Sequence, residues 1–393
     1  MKLSDYKNIK YINTQISDFC KIRNGYSFKS NLYSKSGIRV IRISDVQKGS
    51  ISDNDIVFYP LNLKNEFENY LLTEKDILVS LTGNVGRVAM LKISNLPAAL
   101  NQRVAAISTN SIVINKYLYY CISNDKFENQ CYEASTGGAQ KNLSTKWLAN
   151  YVVPIPEIKV QEEIVKILDS FTNLIDALNE ELSLRQKQFE YYREKLLTFD
   201  DKSLLKPINE IGTLFRGNGL QKKDFVDEGV GCIHYGQIYT KLGFSLSKPL
   251  TYVTKVTAKP LTKVRKGDLV IACTSENIED VCKSVVWEGE EEIVTGGHAC
   301  VLRHNENPRY IGYFFQTHQF FMQKKQYAYG AKVIDIKTEK LGEILIPIPP
   351  LAIQQSIVEK LDAFESLISS LKEEIALRQK QYEYYREKLL NFN

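Results

Sequence analysis

The chain lacks the features of a membrane protein and of a disulfide-stabilised secreted domain. None of its apolar runs approaches the roughly 18 residues that a membrane-spanning helix needs, and residues 1–6 contain no apolar stretch typical of a secretory signal. Its seven cysteines are scattered and form no Cys-x-x-Cys pair. An odd, dispersed set of cysteines indicates buried thiols in a reducing compartment, so we expect a cytoplasmic protein.

Motifs of the common nucleotide-dependent and DNA-modifying enzymes are also missing. The sequence has no Gly-x4-Gly-Lys-Ser/Thr loop for phosphates and no Asn-Pro-Pro-Phe/Tyr motif, on which amino-methyltransferases hold their target base. His304-x-Glu306 matches half of a nucleic-acid deaminase signature, but no Pro-Cys-x-x-Cys follows. His298-x-Cys300 with a further cysteine would suit a metal, although buried thiols and a histidine in a turn are the better interpretation. We therefore expect no catalysis, metal or cofactor in this chain; only carboxylate arrangements of the nuclease type, which have no specific spacing, stay open.

Length and charge favour a protein of several domains with a polyanionic partner. The 393 residues are enough for two or more domains, and the apolar content of 44% with 25% charged residues is typical of globular cores. The net charge of +5 is uneven: residues 1–153 carry +7 and residues 200–346 carry +2, whereas residues 154–199 and 347–393 carry −3 and −1. A polyanion would therefore bind the two longer segments.

The chain contains an internal duplication. Residues 154–199 and 347–392 are related by a constant offset of 193, with 28 of 46 positions identical. The stretch LRQKQ(F/Y)EYYREKLL is nearly unchanged between the copies. A match of this length does not arise by chance, so the chain consists of two tandem units.

Each copy predicts a long helix of a coiled coil. Pro154 and Pro156 are suited to open the first helix, and no glycine or proline follows before Phe199. Large side chains recur in alternating steps of four and three residues, which is the period of a coiled-coil seam. Arg185 and Arg378 take one seam position in each copy, where they either pair with carboxylates or extend to solvent. The other seam residues are Ile164, Leu168, Phe171, Ile175, Leu178, Leu182, Phe189, Tyr192 and Leu196 in the first copy and Ile357, Leu361, Phe364, Ile368, Leu371, Ile375, Tyr382, Tyr385 and Leu389 in the second.

The connections between segments set the direction of the two helices. Only residues 200–208 link the first helix to the second long segment, so the first helix must end at that segment. The second helix leaves the same segment and must run back along the first. We expect an antiparallel pair, each helix ~60 Å long at ~1.5 Å per residue. One globular unit is expected at each end, with a pseudo-two-fold axis between them.

The two longer segments share a skeleton and predict one α+β domain each. Short β-branched runs separated by Gly, Asn, Asp and Ser are typical of strands and turns, and residues 117–120 and 310–313 are typical of helices. The predicted fold is therefore α+β, with globular domains over residues 1–153 and 200–346 and coiled-coil helices over residues 154–199 and 347–393. Predicted strands include residues 40–43, 77–81, 104–107, 269–271 and 293–294.

Glycine-containing loops of both domains carry side chains suited to DNA. Arginine pairs with guanine, and Asn or Gln with adenine, through two hydrogen bonds in the major groove, whereas lysine and backbone N–H groups hold phosphates. Such loops are also common as plain turns, so a structural role remains the alternative for each residue. The candidate DNA-binding residues are Arg42, Ser44, Asn84, Arg87, Gln102, Arg103, Gln140, Lys141 and Asn142 in the first domain and Gln237, Ser275, Asn277, His298 and Lys332 in the second.

These features resemble the specificity (S) subunit of type I restriction–modification systems. The resemblance rests on the PIP-x4-Q start of each repeated helix, the RQKQ(F/Y)EYYREKLL helix end, and IRISDVQKGSI, GNVGRVAML, ALNQRVAAI and GGAQKNLSTKWLANYVVPIP in the first domain. It spans essentially the whole chain. The second domain departs from this pattern at residues 274–277 and 330–332, so the contacts of the first domain do not transfer to it residue by residue.

The resemblance implies two target-recognition domains, each binding one half of a bipartite DNA site, with the coiled coil setting the gap. It also implies a non-catalytic chain that binds double-stranded DNA, two adenine-N6 methyltransferase subunits with S-adenosylmethionine, and two translocase–nuclease subunits that use ATP and Mg²⁺. Outward helix faces with Glu180, Glu181, Lys187 and Glu194 either dock the methyltransferases or are merely solvated. The alternatives are a coiled-coil scaffold for proteins without DNA specificity, and the specificity subunit of a related methyltransferase–nuclease.

Overall fold

The computed structural model describes residues 9–138 and 140–392. The opening residues considered for a secretory signal, and one residue of the 138–142 loop, lie outside that part of the chain. The chain divides into two compact units: one extends to Leu178 and includes the segment from Glu374 onward, and the other is Asn179–Glu373. Among the described residues, none of the helices combines the length and the apolar character that crossing a bilayer requires.

The first unit mixes strands with short helices, as the α+β prediction requires. Its described strands are β1 (Tyr11–Gln15), β2 (Cys20–Asn24), β3 (Ile38–Ile41), β4 (Phe58–Tyr59), β5 (Ile77–Ser80), β6 (Val88–Met90), β7 (Ala98–Leu100), β8 (Val104–Thr109) and β9 (Val152–Pro156), and its short helices are α1 (Ile16–Phe19), α2 (Asn115–Ile122), α3 (Asp125–Ala134) and α4 (Thr145–Asn150). An antiparallel sheet has the order β2-β8-β5-β6, a mixed sheet the order β4-β3-β7, and β1 pairs with β9.

The strand β5 is buried on both faces. Successive side chains of a strand point to opposite faces, so Ile77 and Val79 pack in one apolar cluster and Leu78 in another. All three are fully buried. The uninterrupted apolar sequence of β5 therefore reflects a strand covered on both sides.

The second unit repeats this architecture. Its strands follow the long helix α5 (Ile158–Leu196), and they end before the second long helix α12 (Leu351–Leu390). The described strands are β10 (Leu205–Pro207), β11 (Gly212–Arg216), β12 (Val230–Ile233), β13 (Ser245–Leu246), β14 (Thr251–Val253), β15 (Thr262–Val264), β16 (Leu269–Ala272), β17 (Thr274–Ser275), β18 (Ser284–Trp287), β19 (Ile293–Thr295), β20 (Ala299–His304), β21 (Ile334–Asp335) and β22 (Leu345–Pro347), and the short helices are α6 (Ile208–Ile211), α7 (Tyr235–Ile238), α8 (Lys255–Ala258), α9 (Pro308–Phe314), α10 (His318–Tyr327) and α11 (Thr338–Gly342).

The sheets of the second unit correspond to those of the first. The larger sheet has the order β11-β20-β16-β18-β13, the smaller one β14-β12-β19-β15, and the pairs β10-β22 and β17-β21 complete the set. Leu269 and Ile271 of β16 enter one apolar cluster, while Val270 enters another. The strand β16 is therefore buried on both faces, as β5 is in the first unit.

The long helices are present, but their starts differ from the prediction. The helices α5 and α12 have 39 and 40 residues. The first begins at Ile158, because Pro154 and Pro156 belong to β9, which pairs antiparallel with β1. Proline is tolerated there because each strand of a two-stranded sheet has an open edge.

The two helices pack through equivalent contacts in both units. In the first unit the rings of Phe171 in α5 and Tyr385 in α12 stack with centroids 5.1 Å apart. In the second unit Tyr192 of α5 and Phe364 of α12 stack at 5.4 Å. The same repeat positions pair with the helices exchanged, which an antiparallel pair requires. Every predicted seam residue is buried or partly buried.

The seam arginines pair with carboxylates of their own helix. Arg185 lies 3.4 Å from Glu181, and Arg378 lies 2.8 Å from Glu374. Both pairs are four residues apart, a spacing that places side chains on one helix face. Of the two alternatives left by the sequence, the ion pair is the one observed.

A buried glutamine attaches each domain to the start of its long helix. Gln161 is fully buried, and its amide donates to the carbonyl of Pro156 at 2.9 Å and accepts from the N–H of Ile114 at 2.9 Å. Gln354 is equally buried and makes the matching bond to Pro349 at 2.8 Å. These contacts give a structural reason for the PIP-x4-Q pattern.

A tyrosine–carboxylate pair repeats in the same region. The hydroxyl of Tyr120 donates to Asp169 at 2.6 Å, and that of Tyr313 donates to Asp362 at 2.6 Å. A basic residue joins each carboxylate: Lys116 at 2.7 Å from Asp169 and Arg309 at 2.9 Å from Asp362. Each globular domain is thus fixed to its own helix by the same set of interactions.

Candidate nucleic-acid interface

Three candidate loops of the first domain form one surface. The N–H of Gly83 donates to the carbonyl of Lys141 at 2.8 Å, and the N–H of Leu81 donates to the carbonyl of Arg103 at 3.0 Å. Strand β5 ends at the 82–87 loop and β8 begins after the 101–103 loop. Loops that are distant in sequence therefore meet at one end of the central strands.

Most candidate side chains on this surface are accessible. Lys141 is partly buried, with its ammonium 4.9 Å from the centre of the Tyr132 ring. The surface thus combines fixed positive charge with amides and an arginine that reach solvent, a combination suited to phosphates and base edges. The exposed candidates are Asn84, Gln102, Arg103, Gln140 and Asn142.

The glycines of the 82–87 loop are required by its backbone. Gly83 and Gly86 have φ angles of +70° and +82°, in the left-handed region that side chains disfavour. A Cβ on Gly86 would lie 2.6 Å from the Cβ of Cys131 in α3. The loop therefore packs directly on α3, which holds its exposed tip in one conformation.

Hydrogen bonds within the first domain engage Arg42, Ser44 and Arg87, and the side-chain carbonyl of Asn142 accepts from the Thr82 hydroxyl at 2.9 Å. The Arg42 guanidinium lies 3.3 Å from both Asp45 and Asp55. Partial burial by itself would lower the pKa of Arg42, but the hydrogen bonds to these two carboxylates raise that pKa above its ordinary value. The exposed Ser44 donates to Asp45 at 3.0 Å. Arg87 donates to Gln47 at 2.7 Å and is partly buried. These side chains shape the surface beside the three loops.

The second domain brings its own loops together in the same way. The N–H of Cys273 donates to the carbonyl of His298 at 2.8 Å, and the N–H of Ile336 donates to the carbonyl of Cys273 at 3.1 Å. Strand β17, with Ser275, pairs with β21. The loops 274–277, 296–298 and 330–332 therefore gather at the end of β16, the counterpart of β5.

Two candidates of the second domain serve as local caps. Gln237 is only 9% exposed, and its carbonyl accepts from the N–H of His234 at 2.9 Å. Asp45 accepts from the N–H of Arg42 at 2.8 Å in the first domain, so the two residues have the same role. Asn277 binds the N–H of Asp280 at 2.7 Å. Gln237 would have to leave its buried partners to reach a base.

The remaining candidates of the second domain differ in access. Ser275 is buried, whereas Lys332 and His298 are exposed. His298 has a φ of +70°, unusual for a non-glycine residue, and its ring lies 5.0 Å from that of Tyr235. The structure therefore places one lysine and one histidine of the predicted set on the loop surface.

Two charged residues of this surface were missed by the sequence analysis. Arg216, at the end of β11, lies 3.3 Å from Asp335 of β21. Arg216 directly precedes Gly217-Asn218-Gly219, a glycine–amide turn like the other candidate loops, so the sequence carried a signal for it. A strand-by-strand comparison of the two repeats would have found them.

The cysteines that the sequence analysis considered as metal ligands lie inside the second domain. Within residues 9–138 and 140–392, His, Cys, Asp and Glu form no group of three able to hold an ion. Cys273, Cys282 and Cys300 are buried, and a hydrogen bond with Cys273 together with burial raises the pKa of Cys300. All three thiols belong to the apolar core of the second domain.

The sequence model of one protein family matches both halves of this chain. The family is described as the type I restriction modification DNA specificity domain, and it matches residues 8–184 and again residues 205–377. The two matches coincide with the two copies of the repeat and cover most of the chain. The chain belongs to this family. Type I restriction–modification specificity subunits as a family do not catalyse a reaction themselves.

Individual specificity subunits are similar along most of their length. A putative type I restriction enzyme specificity subunit of Haemophilus influenzae is 28% identical over 364 residues, which cover 87% of this chain and 89% of the relative. The EcoR124I/EcoR124II specificity subunit of Escherichia coli is 29% identical over 294 residues, 70% of each chain. The similarity to the Haemophilus influenzae relative therefore extends over both halves of this chain.

Solved structures show the same fold. The S subunit of a type I restriction–modification system from M. genitalium superimposes with a TM-score of 0.58 and 13% identity, over 98% of this chain and 97% of that one. A chain solved in a study of complex assembly and conformational transition of the type I R-M system also has a TM-score of 0.58, over 98% and 100%. At this identity the likeness supports the fold alone, an α+β chain with an internal repeat.

Proposed function

We propose that this chain gives a type I restriction–modification complex its DNA sequence specificity, with each domain binding one half of a bipartite target. One observation carries the proposal: both domains place equivalent loops at the same end of equivalent strands, yet present different side chains there. One scaffold with two sets of side chains suits two unlike half-sites. Methyl transfer and translocation then belong to partner subunits that bind S-adenosylmethionine, ATP and Mg²⁺.

The chemistry of the loops favours the major groove of DNA. Exposed amides at Gln102 and Gln140 match the donor and acceptor of adenine, the Arg103 guanidinium matches guanine, and lysines such as Lys332 suit phosphates. Binding through phosphates releases counterions, so affinity should fall steeply between low and moderate salt. A protein scaffold without DNA specificity would show no such DNA-dependent response.

Exchange of one domain tests the division of labour. Residues 1–150 are replaced by the corresponding domain of another family member, and methylated adenines are mapped in cells that also contain the methyltransferase. We expect one half-site to change and the other to stay, because each domain has its own loop surface. A change in both half-sites would contradict independent recognition.

The long helices are proposed to set the spacer between half-sites. Their seam residues are buried or partly buried, and the two helices have 39 and 40 residues, so we expect them to be stiff. Inserting four residues into both helices, at matched positions, should lengthen each by ~6 Å and change the spacer while both half-sites stay the same. An unchanged spacer would refute this role. The matched control is a four-residue insertion into the linker at residues 200–204, outside both helices.

Outward helix faces are proposed to dock two methyltransferase subunits. Leu184 and Tyr191 of α5 are 60% and 59% exposed, and their repeat equivalents Leu377 and Tyr384 of α12 are 61% and 54% exposed. Each pair is seven residues apart and therefore on one helix face. Two copies of an exposed apolar pair suit two copies of one partner, and they extend the charged candidates Glu180, Glu181, Lys187 and Glu194.

Stoichiometry tests the docking sites. Leu184→Glu and Leu377→Glu should each leave one methyltransferase bound by native mass spectrometry, and the double variant should leave none. Gln186→Glu is the control, because Gln186 is also exposed but lies on another face of α5. If the double variant still binds two methyltransferases, these faces do not dock them.

A further inference from the structure

The repeat allows the two domains to be compared position by position at their loop surfaces. Asn24 and Arg216 are the last residues of β2 and β11, and they pair with Ala105 of β8 and Cys300 of β20. Since β8 and β20 are equivalent strands, Asn24 and Arg216 hold the same place. A neutral amide in the first domain is therefore replaced by a cation in the second.

A second exchange occurs directly beside the first. Asn142 forms a backbone bridge with Thr82, and Asp335 forms the equivalent bridge with Thr274. The first domain thus presents Asn24 and Asn142, both exposed. The second domain has an arginine and an aspartate at these two places. Their opposite charges cancel, so the net charge of the two positions is zero in both domains.

The charged pair is organised but accessible. Arg216 Nη2 lies 3.3 Å from Asp335 Oδ2, and the side chains are 42% and 19% exposed. The hydroxyl of Tyr329 donates to the other oxygen of Asp335 at 3.3 Å. Asp335 therefore has two partners, and it restrains an arginine side chain that is still 42% exposed.

Arg216 belongs to the loop surface of its domain. The N–H of the next residue, Gly217, donates to the carbonyl of Ala299 at 2.8 Å, and a Cβ on Gly217 would lie 2.5 Å from the carbonyl oxygen of Gly296. Asp335 lies beside Ile334, which pairs with Ser275. The pair therefore lies beside the 274–277 and 296–298 loops, and the backbone bridge between Tyr329 and Asp335 closes the turn that contains the 330–332 loop.

We propose that Arg216 determines specificity in the second domain by binding a guanine, and that Asp335 is its positioning residue. The inference rests on the proposed function, because it names a contact within the second half-site. Guanine presents two acceptors on its major-groove edge, and a guanidinium donates two parallel hydrogen bonds to them. Restraint by Asp335 lowers the entropy lost on binding. The side-chain amides at the same positions in the first domain cannot donate two parallel hydrogen bonds to guanine. We therefore expect the two half-sites to differ at the base that Arg216 binds.

The test maps methylation directed by the full chain with its methyltransferase subunit in a host without other adenine methylation. Domain exchange first assigns one half-site to the second domain. Arg216→Ala should then lower discrimination at one guanine of that half-site by roughly 10- to 100-fold, with every other position unchanged. Asp335→Asn should lower discrimination at the same guanine by a smaller factor, and it should add little in the Arg216→Ala background.

Two further variants keep the result interpretable. Arg216→Asn with Asp335→Asn installs side chains that the same backbone positions carry in the first domain, so it preserves the fold and should lose the guanine preference. Arg265→Ala is the matched control, because Arg265 is an exposed arginine 3.0 Å from Glu292, before the start of β16 rather than at its loop end. Arg265→Ala should leave the motif unchanged.

The outcomes separate this inference from the proposed function. A wild-type complex that methylates no bipartite motif would overturn the proposed function itself. A bipartite wild-type motif that Arg216→Ala leaves unaltered would overturn only the inference. Uniformly weaker methylation at all sites with an unchanged motif would identify Arg216 as a phosphate contact, and it would overturn the guanine assignment as well.

Discussion

Replacing Gln161 with leucine should destabilise the protein far more than the same change at an exposed glutamine of the same helix. The Gln161 carbonyl accepts from Ile114 N at 2.9 Å, and its amide donates to the carbonyls of Pro156 at 2.9 Å and Ile112 at 3.2 Å. Leucine has a similar volume but neither donor nor acceptor. The backbone N–H and carbonyl groups that now bind Gln161 would lose their hydrogen-bond partner at a position that water scarcely reaches.

The magnitude follows from the number of groups that lose a partner. An unsatisfied buried donor or acceptor costs about 1–3 kcal/mol, and at least one N–H and one carbonyl are affected. Burial of a leucine in place of an amide offsets part of this cost. We therefore expect a loss of about 2–4 kcal/mol in the free energy of unfolding.

Urea denaturation of the full chain measures this loss. The control is Gln186→Leu, since Gln186 is exposed on α5 and surface changes stay within about 0.5 kcal/mol. Gln354→Leu should behave like Gln161→Leu, because Gln354 makes equivalent bonds to Asn307 N at 3.0 Å and to the carbonyl of Pro349 at 2.8 Å. If Gln161→Leu costs no more than Gln186→Leu, the buried glutamine does not supply the attachment that we assign to it.

Asp169→Asn should lower the free energy of unfolding by about 1–2 kcal/mol, since its carboxylate accepts from Tyr120 at 2.6 Å; urea denaturation of the variant measures this, and a loss below about 0.5 kcal/mol would contradict it. Lowering the pH from 7.5 to 5.5 should destabilise the wild-type protein more than it destabilises the His304→Asn variant. Burial lowers the pKa of His304 below 6.5, so this histidine takes up a proton more readily in the unfolded chain, and the free energy of unfolding decreases as the pH is lowered. Equal decreases in the melting temperature of the wild type and of the variant between the two pH values would refute this. Gly86→Ala should lower the melting temperature more than Gly83→Ala: both glycines have positive φ, but only the Cβ at position 86 meets another side chain at 2.6 Å.

The long helices could be predicted because their signal is local. A 3.5-residue period over some 40 residues depends only on neighbouring turns of the same helix, and both helices are confirmed. The exact start could not be predicted, because proline suits both the first turn of a helix and an edge strand. The choice at Pro154 depends on pairing with Asn13, which is remote in sequence.

The candidate loops could be predicted, but the role of each side chain could not. Glycine and amides mark turns wherever they occur, and the structure joins the predicted loops within each domain. Whether an amide faces solvent or caps the backbone depends on its neighbours: Gln237 binds His234 N at 2.9 Å, while Gln102 is exposed. The ion pair between Arg216 and Asp335 could not be predicted, because the two residues are 119 positions apart. The DNA contacts themselves stay predictions.

The duplication separates the positions that folding constrains from those that it leaves open. Gln161 and Gln354 are identical because both must satisfy buried backbone groups, and any side chain without both a donor and an acceptor would leave one of them unpaired. Asn24 and Arg216 occupy equivalent exposed places where water satisfies either side chain, so the fold tolerates the exchange. A protein-binding scaffold with two identical partners would have no reason to diverge there while its helix attachments stay the same. Different side chains at equivalent loop ends of a shared scaffold suit two unlike ligands, as the proposed recognition of two DNA half-sites requires.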